Sequence, residues 1–360
     1  MTTTVGFVGL QHSHTEQYLA SLEQLPVTVT GVCEPDETID VALLADSYDL
    51  DVPRYRDPAR LLDVETPDVV WVALPNRATP NVLQLALERD VSVFAEKSLA
   101  RTASELEPIV PTAERADAFV SPAYVNRSKP VYRYLSELSS DGFFGEIRGF
   151  DGRFIKNSLA SRLESDGQPG YLYREADARG GILQWLGCHM IDLFARLLPG
   201  RIQAVCAQTS HGVEAVATED GATVQFETTD GAMGTLQVGY YFRPASHPRG
   251  DQTAGPTYEP LQIYGMDGSA IVTPGATGIR LGATSSAWDA APIQRREFEE
   301  PDVPGYGGAG GLAYYREFFE CVEGAEPRNV ATLEDELRVL RILDAAYESA
   351  ENRRWVEVPA

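Results

Sequence analysis

The first 120 residues alternate between two patterns. Short apolar runs at Val5–Val8, Val27–Cys33, Val69–Leu74, Val91–Ala95 and Ala118–Val120 are separated by Thr15–Leu25, Glu37–Tyr48, Thr79–Arg89 and Thr102–Ala116, which have helical spacing or composition. A brief apolar run without polar alternation reads as a strand buried on both faces. Strands of that kind joined by helices leave one economical solution, a parallel sheet covered on both sides. In the first helical stretch Tyr18, Leu22 and Leu25 share a face, and Pro26 stops the helix.

Beyond about residue 123 the pattern changes. Ile202–Gln208, Thr223–Glu227, Leu236–Tyr240, Leu261–Tyr264 and Ala270–Thr273 read as strands, several with period-two alternation, and Asp230-Gly231 and Asp267-Gly268 are hairpin turns between such runs. Two helices close the chain, with Leu312, Tyr315, Phe319 and Val322 on one face of the first. Leu333, Leu337, Leu340 and Tyr347 share a face of the second, for which Thr332 is the N-cap. With 360 residues the chain has room for two domains. The expectation is an α/β architecture: a doubly wound parallel domain over residues 1–122, then an α+β domain over 123–360 with a largely antiparallel sheet and closing helices at 309–324 and 332–350. Asn157–Gly170 and Arg243–Thr257 are polar and rich in Gly, Pro or Ser, and read as mobile loops over a site.

Charge narrows the possible partners. There are 53 acidic and 30 basic residues, a net −23, and only Lys97, Lys129 and Lys156 are lysines. A field this negative repels phosphates, which argues against nucleic acid and anionic membranes as partners. The acidity is spread along the chain, so it is a solvated surface. Such a surface suits molar salt, where screening acts over ~3 Å, and the chain reads as a halophile's protein. Cys33, Cys188, Cys206 and Cys321 are widely spaced and indicate neither a disulfide framework nor a zinc site. With no basic leader and no apolar run near ~20 residues, the expected location is the cytoplasm.

The first strand runs through Val5-Gly6-Phe7-Val8-Gly9 into Leu10-Gln11-His12-Ser13-His14 and a helix. This is where a dinucleotide fold places its Gly-x-Gly-x-x-Gly turn; Gly9 is the first glycine, while Gln11 and His14 stand at the second and third. The second strand ends at Glu34, where a carboxylate can bond ribose hydroxyls and repel a 2′-phosphate, so NAD is expected over NADP. Glu96-Lys97-Ser98 follows the fifth strand at the carboxyl edge where such sheets bind ligands. Later, a helix beginning after Gly180-Gly181 carries Trp185, His189 and Asp192 in one stripe.

Together these segments resemble the glucose–fructose oxidoreductase/inositol dehydrogenase (Gfo/Idh/MocA) family. Glu96-Lys97-Ser98 is similar to its Glu-Lys-Pro motif, with serine for proline, and Pro75-Asn76 to its Pro-Asn segment. Tyr124-Val125-Asn126-Arg127 is similar to the family's entry into its second domain. Phe144-Gly145-Glu146-Ile147 is similar to the turn before that domain's first strand, and Gly180-Gly181 through Asp192-Leu193 to its Gly-Gly…Asp-x-Gly-x-His-x-x-Asp-Leu helix.

The resemblance implies NAD-dependent oxidation or reduction of a sugar, cyclitol or related polyol by a homo-oligomer, a dimer or tetramer. Lys97 and His189 take the catalytic roles, and Gly9, Gln11, His12, Glu34, Pro75, Asn76, Glu96 and Lys97 line the cofactor. Tyr124, Arg127, Trp185 and Asp192 are the candidate substrate contacts. The family's aspartate four residues before the histidine is Trp185 here, so Asp192 or Asp177 substitutes, the base acts alone, or the chemistry is altered. Trp185 either stacks on a sugar face or packs in the core. A non-catalytic dinucleotide-binding sensor is the rival reading. His14 is expected to cap or pack the helix. His12, His14 and His189 could converge on zinc, but no partner carboxylate is evident and no metal is expected.

Overall fold

The computed structural model describes residues 2–157, 170–212, 216–242, 258–283 and 293–360. Residues 158–169 and 243–257, the bulk of the two expected loops, lie outside the described residues.

The chain opens with β1 (Thr3–Val8), α1 (Thr15–Leu22), β2 (Val27–Cys33), α2 (Val41–Ser47), β3 (Arg54–Tyr55) and α3 (Pro58–Glu65). It continues through β4 (Val69–Val72), α4 (Thr79–Leu87), β5 (Ser92–Ala95), α5 (Ala103–Leu106), α6 (Val110–Ala113) and β6 (Val120–Pro122). The six strands form one parallel sheet in the order β3-β2-β1-β4-β5-β6. β2 and β4 flank β1, so the winding reverses there, and the crevice at its carboxyl end is the ligand position of such sheets.

Two details depart from the sequence reading. β3 and α3 were not expected, because a two-residue strand carries no periodicity; α3 is nonetheless well marked, with Asp57 accepting from Ala59 N at 2.9 Å and Pro58 in its first turn. The stretch read as one helix over Thr102–Ala116 is broken into α5, a 3₁₀ turn at Glu107–Ile109 and α6. Pro108 and Pro111 lack the N–H groups a continuous helix needs.

Next come α7 (Pro130–Ser140), β7 (Ile147–Asn157), α8 (Glu175–Ala178), a π-helical turn at Leu183–Gly187 and α9 (Cys188–Leu197). Then follow β8 (Ile202–Ser210), β9 (Gly221–Thr228), β10 (Met233–Phe242), β11 (Leu261–Gly265), β12 (Gly268–Val272), β13 (Gly278–Ala283) and β14 (Ile293–Glu297). The chain ends with α10 (Gly308–Val322), α11 (Leu333–Asn352) and β15 (Val356–Glu357). The second sheet has nine strands in the order β14-β13-β12-β11-β7-β10-β9-β8-β15, antiparallel except where β10 runs parallel to β7. Asp230-Gly231 and Asp267-Gly268 lie at the expected hairpins.

The chain divides into two compact units, Met1–Ser128 with Pro301–Leu337, and Lys129–Glu300 with Arg338–Ala360. This corrects the expected boundary at 122/123, because 301–337 returns to the first unit. Aromatic packing explains the return. Tyr315 lies 5.2 Å from Trp71 and 5.3 Å from Phe94, and Phe318 lies 5.4 Å from Phe94. The buried face of α10 is Leu312, Tyr314, Tyr315, Phe318 and Cys321; Phe319 and Val322, expected there, are only partly buried. Thr332 caps α11 as expected, its hydroxyl accepting from Asp335 N at 3.3 Å while Asp335 accepts from Thr332 N at 3.0 Å. Among the described residues no helix is long and apolar enough to cross a membrane.

Candidate active site

In the first unit the turn after β1 is held tightly. Gly9 has φ +95, its N–H donates to Cys33 O at 2.8 Å, and a Cβ there would stand 2.4 Å from Ala73 O. Only glycine fits this approach. The turn leads into α1, whose dipole favours an anion at this end.

Glu34, buried at the end of β2, turns toward the same turn. Its carboxylate accepts from Leu10 N at 2.8 Å and from Asp36 N at 3.1 Å. Gln11 Nε2 reaches Asp36 at 3.4 Å. Arg56, unnoticed in the sequence, is exposed beside this corner and donates to Asp36 O at 2.8 Å and Glu34 O at 3.4 Å. After β4, Pro75 O accepts from Ala78 N and Thr79 N, at 2.8 and 3.2 Å, and fixes the turn that carries buried Asn76.

The centre of this unit is Glu96-Lys97, just past β5. Lys97 is 1% exposed, and its Nζ lies 3.4 Å from Glu96 Oε1. Glu96 Oε2 receives the Tyr18 hydroxyl and lies 3.4 Å from His14 Nδ1. Burial alone would raise the Glu96 carboxyl, but the Lys97 ammonium and the two histidines outweigh it and hold the group ionised below the usual carboxylate range. Burial pushes His12 down to about 3, so its ring is neutral, and its Nδ1 accepts from His14 N at 3.0 Å.

His12, not His14, therefore supplies the imidazole that fastens the start of α1. His14 packs, as one expectation held: its ring stacks on Tyr306 with centroids 4.0 Å apart. The sequence reading found no carboxylate beside these histidines, and the structure corrects that. His12, His14 and Glu96 each offer a ligand atom within 4.8 Å of one another. This donor set suits a divalent metal by type. However, Lys97 sits against the carboxylate, Tyr18 donates to it, and His12 Nδ1 is committed. A resident ammonium opposes a cation, so the cluster reads as a hydrogen-bonded network.

Arg127, proposed as a substrate contact, is corrected. It is buried and its guanidinium pairs with Asp335 at 2.9 Å, with Val330 O at 3.5 Å, which ties it to the start of α11. Tyr124 is fully buried.

In the second unit His189 is the second residue of α9, directly after the π-helical turn that carries Trp185. π-helical turns recur at functional sites. His189, Trp185 and Asp192 are all buried, at 5, 6 and 1% exposure. Asp177 accepts from Arg174 Nε at 2.7 Å and is thereby committed to an ion pair. The backbone ahead of the turn is held by Glu219, which the sequence reading missed; the tell-tale was Gly180-Gly181, since paired glycines mark a close approach.

Comparison with known proteins decides the family. The description "Oxidoreductase family, NAD-binding Rossmann fold" matches residues 3–124, and "GFO/IDH/MocA C-terminal domain" matches residues 132–271. The chain belongs to the GFO/IDH/MocA oxidoreductase family. It is similar to a D-apiose dehydrogenase of Paraburkholderia graminis, 25% identical over 366 residues, covering 98% of this chain and 88% of that protein. A D-xylose 1-dehydrogenase (NADP(+)) of Haloferax volcanii is 24% identical over 311 residues, covering 83% and 82%. Among solved structures, levoglucosan dehydrogenase in complex with NADH and levoglucosan shares the fold, with a TM-score of 0.81, 21% identity and 100% of each chain covered. As a family member the chain is an oxidoreductase with an NAD-binding Rossmann domain.

Proposed function

We propose that the chain oxidises a secondary or hemiacetal hydroxyl of a sugar or cyclitol, with NAD as its redox partner. The observation that carries this reading is the buried Lys97–Glu96 pair at the carboxyl end of β5. A fully buried lysine packed against a carboxylate is costly, and a ligand-facing sheet edge is where such a cost serves chemistry. The dehydrogenases of apiose, xylose and levoglucosan among its relatives support the substrate class.

The residues fit a dinucleotide. Gly9, Gln11 and His12 would hold its pyrophosphate, Glu34 its adenosine ribose, and Pro75, Asn76, Glu96 and Lys97 its nicotinamide half. When bound, the cofactor supplies the two-electron redox chemistry. Lys97 stabilises negative charge on the substrate oxygen as the hydroxyl ionises. His189 takes the hydroxyl proton as general base. Trp185 and Asp192 are assigned to substrate orientation. A sensor role is disfavoured, because a passive dinucleotide binder has no use for the buried lysine.

Cofactor choice rests on opposing charges. Glu34 and Asp36 repel a 2′-phosphate, whereas Arg56 beside them would welcome one. Two carboxylates against one exposed guanidinium favour NAD. Fluorescence titration should show tighter NADH than NADPH binding, and Arg56→Ala should leave NADH binding unchanged. Tighter NADPH binding, lost in Arg56→Ala, would reverse the assignment.

The same reading covers the setting. Met233, Tyr241, Tyr264 and Met266 stand exposed on or beside the nine-stranded sheet, a surface suited to a homo-oligomer, dimer or tetramer. A net charge of −23 with three lysines suits a halophilic cytoplasm. The melting temperature should rise from dilute buffer to molar KCl as self-repulsion is screened. A melting temperature indifferent to KCl would reject the halophilic assignment.

A further inference from the structure

The segment that carries His189 starts in an unusual way. Ahead of it, Arg179 adopts φ +72 and ψ −57, a rare conformation for a side chain with a Cβ. The next two residues, Gly180 and Gly181, are hemmed in. A Cβ on Gly180 would stand 1.9 Å from Tyr347 Oη, and one on Gly181 would stand 1.9 Å from Glu219 O. The glycines are required because two other elements press against the backbone there.

Glu219, two residues before β9, is the more important of the two. It is 3% exposed, and its carboxylate accepts from Gly181 N at 2.7 Å and Leu183 N at 2.9 Å. Its main-chain oxygen accepts from Ile182 N at 3.2 Å. One residue thus satisfies three consecutive N–H groups that a helix start leaves without intrahelical partners. Tyr347 of α11 donates to the same carboxylate at 2.9 Å, and Arg179 lies 4.7 Å over the Tyr347 ring while pairing with Asp344. The loop carrying Glu219 is itself pinned, since Asp220 accepts from Ser210 Oγ at 3.1 Å and Gly212 N at 2.7 Å.

We propose that Glu219, braced by Tyr347, is a positioning residue for His189: it fixes the start of the helical segment and so the placement of the imidazole eight residues beyond Gly181. This rests on the reading of His189 as acid/base. A carboxylate at this end also aligns favourably with the helix dipole, which a neutral substitute does not. Glu219→Gln keeps the size but turns an amide N–H toward one of the backbone N–H donors. Tyr347→Phe removes one donor and leaves the ring.

A double-mutant cycle in the full-length protein tests the proposal, with turnover read on whichever of D-xylose, levoglucosan or myo-inositol the wild type oxidises with NAD. Glu219→Gln should lower kcat by about 10- to 100-fold, the scale of a misplaced catalytic group, while KM for NAD stays within about twofold. In Glu219→Gln/His189→Ala the losses should not multiply, because both act through one imidazole. Tyr347→Phe should show the same non-additivity with a smaller loss, and serves if Glu219→Gln does not fold. Losses that multiply, or a wild-type kcat in the folded single variants, overturn the positioning role. A wild-type rate in His189→Ala alone instead overturns the acid/base reading beneath it.

Discussion

Lys97→Met should lower turnover by about 10²–10³-fold, the usual loss on removing one donor to a developing oxyanion. The same substitution should also destabilise the fold, by about 3–5 kcal/mol, because it leaves a buried carboxylate without its counter-charge. The two effects can be separated. Glu96 is held ionised in the wild type against burial by Lys97 and the neighbouring histidines. Its folded carboxyl lies below its unfolded one, so its contribution to stability is present above the unfolded pKa and is lost on acidification. Without Lys97 burial prevails and the carboxyl rises, so this contribution changes sign. Lys97→Met should therefore gain stability relative to wild type as the pH falls from 7 toward 5. Adding Glu96→Gln should restore much of the stability at neutral pH and none of the turnover. Recovery of turnover in the double variant would show that the lysine serves folding alone.

Much of the first unit was legible because its strands are continuous apolar runs. β2 coincides with the expected Val27–Cys33, and β1, β4 and β5 lie within a residue or two of expectation. What escaped was set by tertiary contact. β3 has two residues and no pattern, and α10 reads as a closing helix of the second domain until Trp71 and Phe94 are seen beneath Tyr315 and Phe318. The site divides in the same way. Gly9, Glu34 and Lys97 could be singled out from sequence because they stand at strand ends. Tyr18 could not, because a partner 78 residues away leaves no local spacing to read, and for Glu219 the only signal was the Gly180-Gly181 pair nearly forty residues upstream. Arg127 shows the converse error: a motif position suggested substrate, and a buried pairing with Asp335 has claimed the side chain.

His189→Ala should lower turnover by ~10²–10⁴-fold, the range contributed by general acid–base catalysis, and should flatten the pH-rate profile near neutrality. The competing possibility is a histidine kept for packing, and its burial at 5% exposure makes that a real rival. The two roles leave different signatures in one variant. A packing histidine removed from a helix opens a cavity, lowers the melting temperature, and leaves the pH dependence of the residual activity as it was. A catalytic base removed from the second residue of α9 changes the profile whatever the buried truncation costs in stability, because the helix start is still held by Glu219. NADH binding should be unchanged in either case, since His189 is assigned to the substrate oxygen. Trp185 sharpens the test. With tryptophan where the family carries aspartate, no carboxylate stands four residues before the base, and Trp185→Asp should raise its proton affinity and move the break in the profile upward. A profile unmoved in Trp185→Asp would count against His189 as the group that sets it.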